Sequence, residues 1–150
     1  IALAEEVFSG KPEFDVRIRP HPEIPLELAL EASPPADSQF FSKSEGTLSQ
    51  DLEWADVVLY ASSTVGLEAV ACGKPVVYLD LGDFLDTDPM AGWLGFKWSA
   101  ARPDELVDAL RSIKDLSPED FQDRQVEGYR YAGEYLTPVA AGNIRKFWEI

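Results

Sequence analysis

The sequence predicts an α/β fold of three layers, a mostly parallel sheet with helices on both faces. Three observations carry this. Asp56-Val-Val-Leu-Tyr60 and Pro75-Val-Val-Tyr-Leu79 are short, continuously apolar runs, the composition of strands buried in a parallel sheet. A helical stretch, residues 65–72, lies between them, so the three close a tight βαβ unit, right-handed by the usual rule. The rest of the chain also alternates strand and helix patterns, with no internal repeat, low-complexity tract or dividing linker.

The elements follow in order. Residues 1–8 read as helix, with Leu3, Val7 and Phe8 on one side, stopped by Ser9-Gly10-Lys11-Pro12. Residues 14–20 read as a strand, Val16 and Ile18 facing one way and Arg17 and Arg19 the other. Pro20, Pro22 and Pro25 end it. Residues 23–38 are rich in Pro, Ala and Glu, with a turn of helix at 26–30. Phe40-Phe41-Ser42 reads as a short strand. A helix over residues 46–55 points Leu48, Leu52 and Ala55 inward and is entered through Ser44 or Thr47. The βαβ unit comes next, its helix closed by Gly73. Residues 81–89 form an acidic loop or short helix, and residues 96–99 a last strand. Pro103 opens a helix with Asp104 and Glu105 in its first turn and Leu106, Val107, Leu110 and Ile113 as its stripe. Ser117-Pro118-Glu119 starts another through Phe121, Val126 and Tyr129, and residues 139–148 read as a terminal helix.

One hundred and fifty residues, 45% hydrophobic, suit one domain with a sizeable core and argue against disorder. A net charge of −14 argues against a nucleic-acid backbone or an anionic membrane surface as main partner. The lone cysteine, Cys72, excludes an internal disulfide and a multi-cysteine zinc site, and the lone histidine, His21, excludes multi-histidine metal chemistry. No apolar run approaches the roughly 20 residues of a membrane span. A cytoplasmic location is expected. Residue 1 is Ile within a helical pattern, no basic region precedes it, and Glu5-Glu6 interrupt it. It is therefore read as no signal peptide, and the chain as a piece of a longer protein. Cys72 is expected to pack as a small hydrophobe, and Trp54, Trp93, Trp98 and Trp148 to lie in the core or an interface.

The strongest local signal is Tyr60-Ala-Ser-Ser-Thr-Val-Gly-Leu-Glu-Ala69, where a buried strand meets hydroxyls and a helix start. Unsatisfied amides at a helix start beside hydroxyls can hold an anion, and parallel sheets bind ligands at the carboxyl ends of their strands. The alternative is that Ser63 and Thr64 only cap the helix. Glu68 lies on the same helix face as Thr64, within an apolar run, where a carboxylate needs a partner. That partner is a ligand hydroxyl; the alternatives are a partly exposed glutamate, or one paired with Lys74 or Arg19. His21 follows the 14–20 strand, and if that strand neighbours 56–60 the two sites share one sheet edge; otherwise His21 is a surface histidine. Asp80, Asp83, Asp86 and Asp88 crowd one loop but lack the alternating calcium pattern, which favours a solvated loop over a cation site. Neither a glycine-rich dinucleotide loop nor a phosphate-binding Lys-Ser/Thr loop is present.

The segment Trp54-Ala-Asp-Val-Val-Leu-Tyr-Ala-Ser-Ser-Thr-Val-Gly-Leu-Glu-Ala-Val-Ala-Cys-Gly-Lys-Pro-Val-Val77 resembles the donor-binding carboxyl-terminal half of GT-B glycosyltransferases. Arg19-Pro-His-Pro22 resembles the His-Pro element of bacterial surface-polysaccharide and glycerophosphate transferases. The resemblance implies a Rossmann-like sandwich in which residues 1–150 are one donor-binding domain, lacking its first strand and the amino-terminal acceptor domain. It implies that His21, Ser62, Ser63 and Thr64, with the amides of Val65 and Gly66, hold the donor's diphosphate. Glu68 would bind the ribose, Phe41, Ser42 and Lys43 would meet the base, and the Asp80-Leu81-Gly82-Asp83 loop would approach the sugar. The resemblance assigns no catalytic residue in this chain and implies that the acceptor, and usually the catalytic base, belong to the other half, so this chain alone is expected to bind nucleotide weakly at best and transfer nothing.

The implied substrate is a UDP- or dTDP-linked sugar used in surface-polysaccharide synthesis. Charge grows on the leaving diphosphate, and fixed amide dipoles with a histidine donor suit it, so neither metal nor other cofactor is expected. Residues 54–79 carry a net charge of only −1, which suits a phosphate cradle built from dipoles. Membrane association, if any, would be peripheral and through the absent half. A CDP-glycerol or CMP-sugar transferase is the first alternative, supported by His21-Pro22. Two others are a sugar-nucleotide 2-epimerase-like domain, whose Gly-Gly and Glu-Glu pattern is missing, and a non-catalytic interaction domain of the same fold.

Overall fold

The structure, a computed structural model, describes residues 1–37, 39–82 and 87–136. The expected terminal helix over 139–148, Trp148, Asp83 and Asp86 lie outside the described residues. The chain runs α1 (Ala2–Phe8), β1 (Arg17–Ile18), α2 (Leu26–Ala32), β2 (Ser42–Lys43), α3 (Leu48–Trp54), β3 (Val58–Tyr60) and α4 (Val65–Ala71). It continues through β4 (Val76–Leu79), β5 (Lys97–Ala100), α5 (Pro103–Lys114) and α6 (Pro118–Tyr135).

This is the expected α/β alternation with parallel pairing, but the described strands form two sheets. β1 pairs with β2, Arg17 opposite Ser42. β3, β4 and β5 form the other sheet, Val58 opposite Val76 and Val76 opposite Lys97. The expectation that the 14–20 strand neighbours 56–60 is therefore corrected: its hydrogen-bonded neighbour is β2.

Helices cover both faces. Val76 and Val77 are each 0% exposed and belong to opposite clusters, as the two-residue period of a strand requires. Val77 joins Val7 and Phe8 of α1 with Leu106 and Ile113 of α5. Val76 joins Leu52 of α3, Leu67 and Val70 of α4 and Ala132 of α6. Burying one such valine contributes about 1.5–3 kcal/mol.

Local signals set most helix starts. Thr47 caps α3 in a reciprocal box: its hydroxyl accepts from the Gln50 amide (3.3 Å), and the Gln50 side chain accepts from the Thr47 amide (2.8 Å). Ser117 caps α6 by accepting from the Asp120 amide at 3.0 Å. Pro103 fills the first turn of α5, where a missing N–H costs no hydrogen bond.

Three expectations change. The 14–20 strand pairs over only two residues, because the proline at position 20 cannot extend the ladder. Cys72 is exposed rather than packed. It is the C-cap of α4, while Gly73, at φ 72°, turns the chain beneath α6. The positive φ favours glycine there; a Cβ would also meet the Tyr129 hydroxyl at 2.4 Å, the movable end of an exposed side chain. Trp54 lies at the surface, with the Arg17 guanidinium 4.0 Å from its ring centroid.

Candidate functional site

β3 ends at Tyr60, and the chain reverses into α4 through Ser62, Ser63 and Thr64. Ser62 has φ 36°, a left-handed conformation that costs a non-glycine residue free energy, and its hydroxyl hydrogen-bonds the Thr87 hydroxyl at 2.5 Å. The helix cap differs from the sequence expectation. Thr64 occupies the N-cap position in the α region, and its side chain makes no capping bond. Ser63 instead accepts from the Val65 amide at 3.3 Å, a short hydroxyl turn. The Val65 amide thus has an internal partner, through a bond long enough for a stronger acceptor to replace. Ser62 and Thr64 are exposed.

Gly66 is buried against the Tyr60 ring, where a Cβ would come within 2.6 Å of the ring carbon bearing the hydroxyl. Its lack of a side chain is explained by that packing. Glu68, one turn further, is half-buried and makes no side-chain hydrogen bond or ion pair among the described residues. The two cations the sequence offered it are engaged elsewhere. Lys74 donates to the Glu53 carbonyl at 3.2 Å, and Arg19 reaches Asp51 at 2.6 Å.

A buried network that the sequence did not reveal supports this junction. The Tyr60 hydroxyl donates to Asp88 Oδ1 at 2.7 Å, and the Met90 amide donates to the same oxygen at 3.0 Å. Lys97 Nζ donates to Asp88 Oδ2 and, at 2.7 Å, to the Met90 carbonyl. The Asp88 and Lys97 side chains are each 3% exposed. Burial pushes the Asp88 carboxyl up, but hydrogen bonds from Lys97, Tyr60 and the Met90 amide outweigh it and hold the group below the usual carboxylate range. Burial, then the bond to Asp88, pushes the Tyr60 hydroxyl well above its ordinary value. The end of the acidic loop is thus core, not solvated. The available signal was a lysine inside the apolar run Phe96-Lys97-Trp98.

The other candidates divide between the two sheets. Asp80, Leu81 and Gly82 are exposed just beyond β4, with Asp80 Oδ1 accepting from the Gly82 amide at 2.9 Å; Asp83 is outside the described residues. His21 is exposed beyond β1, and its Nδ1 accepts from the Glu23 amide at 3.1 Å, which leaves Nε2 as donor in the neutral ring. Phe41 packs edge-on against Phe40, the Ser42 amide is used on Val16, and Lys43 pairs with Glu27 at 2.9 Å. The structure therefore brings Ser62, Ser63, Thr64, Glu68 and the 80–82 loop to the carboxyl ends of two paired strands, β3 and β4. It attaches His21 and Phe41-Ser42-Lys43 to the other sheet.

Among the described residues no three His, Cys, Asp or Glu side chains gather as a metal site, and no helix is long and apolar enough to cross a membrane. Comparison with family models, curated proteins and solved structures finds no match to this chain.

Proposed function

We propose that this chain is the donor-binding half of a nucleotide-diphosphate-sugar-dependent glycosyltransferase of the GT-B architecture, serving surface-polysaccharide synthesis. The observation that carries the reading is Glu68. A half-buried carboxylate that makes no hydrogen bond or ion pair among the described residues stands one turn above the exposed hydroxyls of Ser62 and Thr64, at the carboxyl end of a parallel strand. In this reading a ribose supplies the missing partner, through hydroxyls that donate to the carboxylate. The diphosphate rests on Ser62, Ser63 and Thr64 and takes over the Val65 amide from Ser63, a charge-assisted bond replacing a long neutral one. His21 donates from Nε2 to a phosphate oxygen. As the bond between the sugar's anomeric carbon and the diphosphate oxygen breaks, negative charge grows on the departing diphosphate, and these N–H and O–H groups favour that state over the intact substrate.

Calorimetry with UDP, CDP and dTDP tests this. The chain should bind one of them weakly, and Glu68→Ala should lose roughly 1.5–3 kcal/mol, about 10–150-fold in affinity. Absence of binding would overturn the reading in favour of an interaction domain that keeps the fold alone, and binding unchanged in the variant would overturn the role of Glu68 on which the reading rests. Sugar transfer by this chain alone would overturn the assignment of the acceptor site to another half. The free Nε2 of His21 beside Pro22 favours a second reading, a CDP-glycerol or CMP-sugar transferase. Clear preference for CDP over UDP and dTDP would select it.

A further inference from the structure

Two distant chain segments are tied together twice beside the turn that follows β3. At the surface the Ser62 and Thr87 hydroxyls, 25 residues apart in sequence, hydrogen-bond at 2.5 Å. In the interior the Tyr60 hydroxyl donates to Asp88 Oδ1 at 2.7 Å, across 28 residues. Tyr60 stands two residues before Ser62, and Asp88 directly follows Thr87. The two bonds therefore close a ring, with Tyr60-Ala61-Ser62 on one side and Thr87-Asp88 on the other.

The two halves of the ring differ. The inner half is fixed from several directions. Lys97 Nζ donates to Asp88 Oδ2, the Met90 amide donates to Asp88 Oδ1, and the Tyr60 ring packs against Gly66 of α4. The outer half is in water, with Ser62 and Thr87 both exposed. A bond between two exposed neutral hydroxyls competes with water and contributes little to stability by itself. Yet Ser62 is the one non-glycine position with positive φ among the described residues, at 36°. Such a conformation persists only where its surroundings over-determine it, and it gathers at ligand clamps. Here the surroundings are the ring. Asp88 fixes the backbone at Thr87 and the side chain of Tyr60, so Ser62 is held from both sides.

We propose that Thr87 is a positioning residue of the candidate site, which holds the Ser62 hydroxyl in the orientation that meets the ligand. Whichever hydroxyl donates in the shared bond, the accepting one keeps its own O–H to give outward. A hydroxyl that already accepts a hydrogen bond donates a stronger one. That arrangement suits an anionic oxygen, and the inference rests on the reading that a diphosphate lies on this turn. A ring that served folding alone would change stability on removal of the Thr87 hydroxyl and leave ligand affinity as it was.

Thr87→Val and Thr87→Ser test the role in the intact chain. Valine keeps the shape and removes the hydroxyl, whereas serine keeps the hydroxyl. Affinity for UDP, CDP and dTDP is read by NMR titration, together with the Ser62 backbone shifts, which report its left-handed conformation. Thr87→Val should lose about two- to tenfold in affinity for the diphosphate that binds, and its Ser62 shifts should leave the left-handed range. Thr87→Ser should retain both. The urea midpoint of each variant should match that of the unaltered chain, since position 87 is exposed. Unchanged or higher affinity in Thr87→Val, where the unaltered chain binds, overturns this inference and leaves the nucleotide reading standing. Weaker binding with Ser62 still left-handed also overturns it, because Thr87 then meets the ligand itself. So does a Thr87→Ser chain that loses as much affinity as Thr87→Val. Absence of binding to all three diphosphates by the unaltered chain ends the nucleotide reading, and this inference with it.

Discussion

β3, β4 and β5 stand between two buried clusters, whereas β1 and β2 pair over two residues and lean on side chains that water reaches. The first sheet is held by burial: Val76, Val77 and Phe96 have no exposed surface. The second is held largely by charge. Asp51 takes Arg17 at 3.2 Å, Arg19 at 2.6 Å and the Ser44 hydroxyl at 2.5 Å, and the two arginines remain a third exposed. The candidate ligand residues divide along the same line, Ser62 through Glu68 on the firm sheet and His21 on the lighter one. A ligand that engages both would therefore tie the weaker half to the stronger.

The largest expected effect lies in the firm half. Asp88→Ala leaves Lys97 buried without its carboxylate, which should cost about 3–5 kcal/mol in urea unfolding. Adding Lys97→Met should recover much of that loss, since the cost is an orphaned charge rather than a lost contact. Should Asp88→Ala cost no more than an exposed pair, the contrast between the halves fails. Acid gives the same contrast another reading. Asp88 titrates below its unfolded value, so its contribution is complete above about pH 4 and is lost as pH falls through the lower folded value. The urea midpoint of the unaltered chain should fall below about pH 4 more steeply than that of Asp88→Ala.

Gly66→Ala should cost about 1–3 kcal/mol, because a methyl at that position drives the Tyr60 ring away from α4 and from Asp88. A denaturation midpoint matching that of the unaltered chain would show that the ring has room to move. The smallest effect is expected in the lighter half. Asp51→Ala should cost about 1 kcal/mol, since its arginine partners are screened by water, and added salt should shrink the difference. A larger, salt-independent loss would place the two sheets on equal footing.

Period and punctuation made much of this legible in the sequence. The apolar runs at 56–60 and 75–79, Thr47 as one of two candidate entries to α3, and Pro103 ahead of the α5 stripe are local signals, and local geometry obeys them. The turn chemistry was legible by type but not by residue. Of the two hydroxyls expected to cap, Ser63 satisfies the Val65 amide and Thr64, in the αR conformation, makes no capping bond. Glu68 was legible as a carboxylate that is either partly exposed or partnered. That Lys74 and Arg19 are occupied by Glu53 and Asp51 was not, for it depends on where α3 lands.

By itself the sequence determined the α/β alternation, most helix starts and the residue types crowded at the turn after β3, since each depends on neighbours within a few positions. Tertiary structure alone decided three things: that Lys97 and Asp88 meet in the core, that Cys72 faces water, and that the first two strands pair with each other rather than with β3. Each depends on which distant backbone supplies the missing hydrogen bonds or the missing apolar surface. That choice belongs to the whole chain in three dimensions, and no window of the sequence contains it.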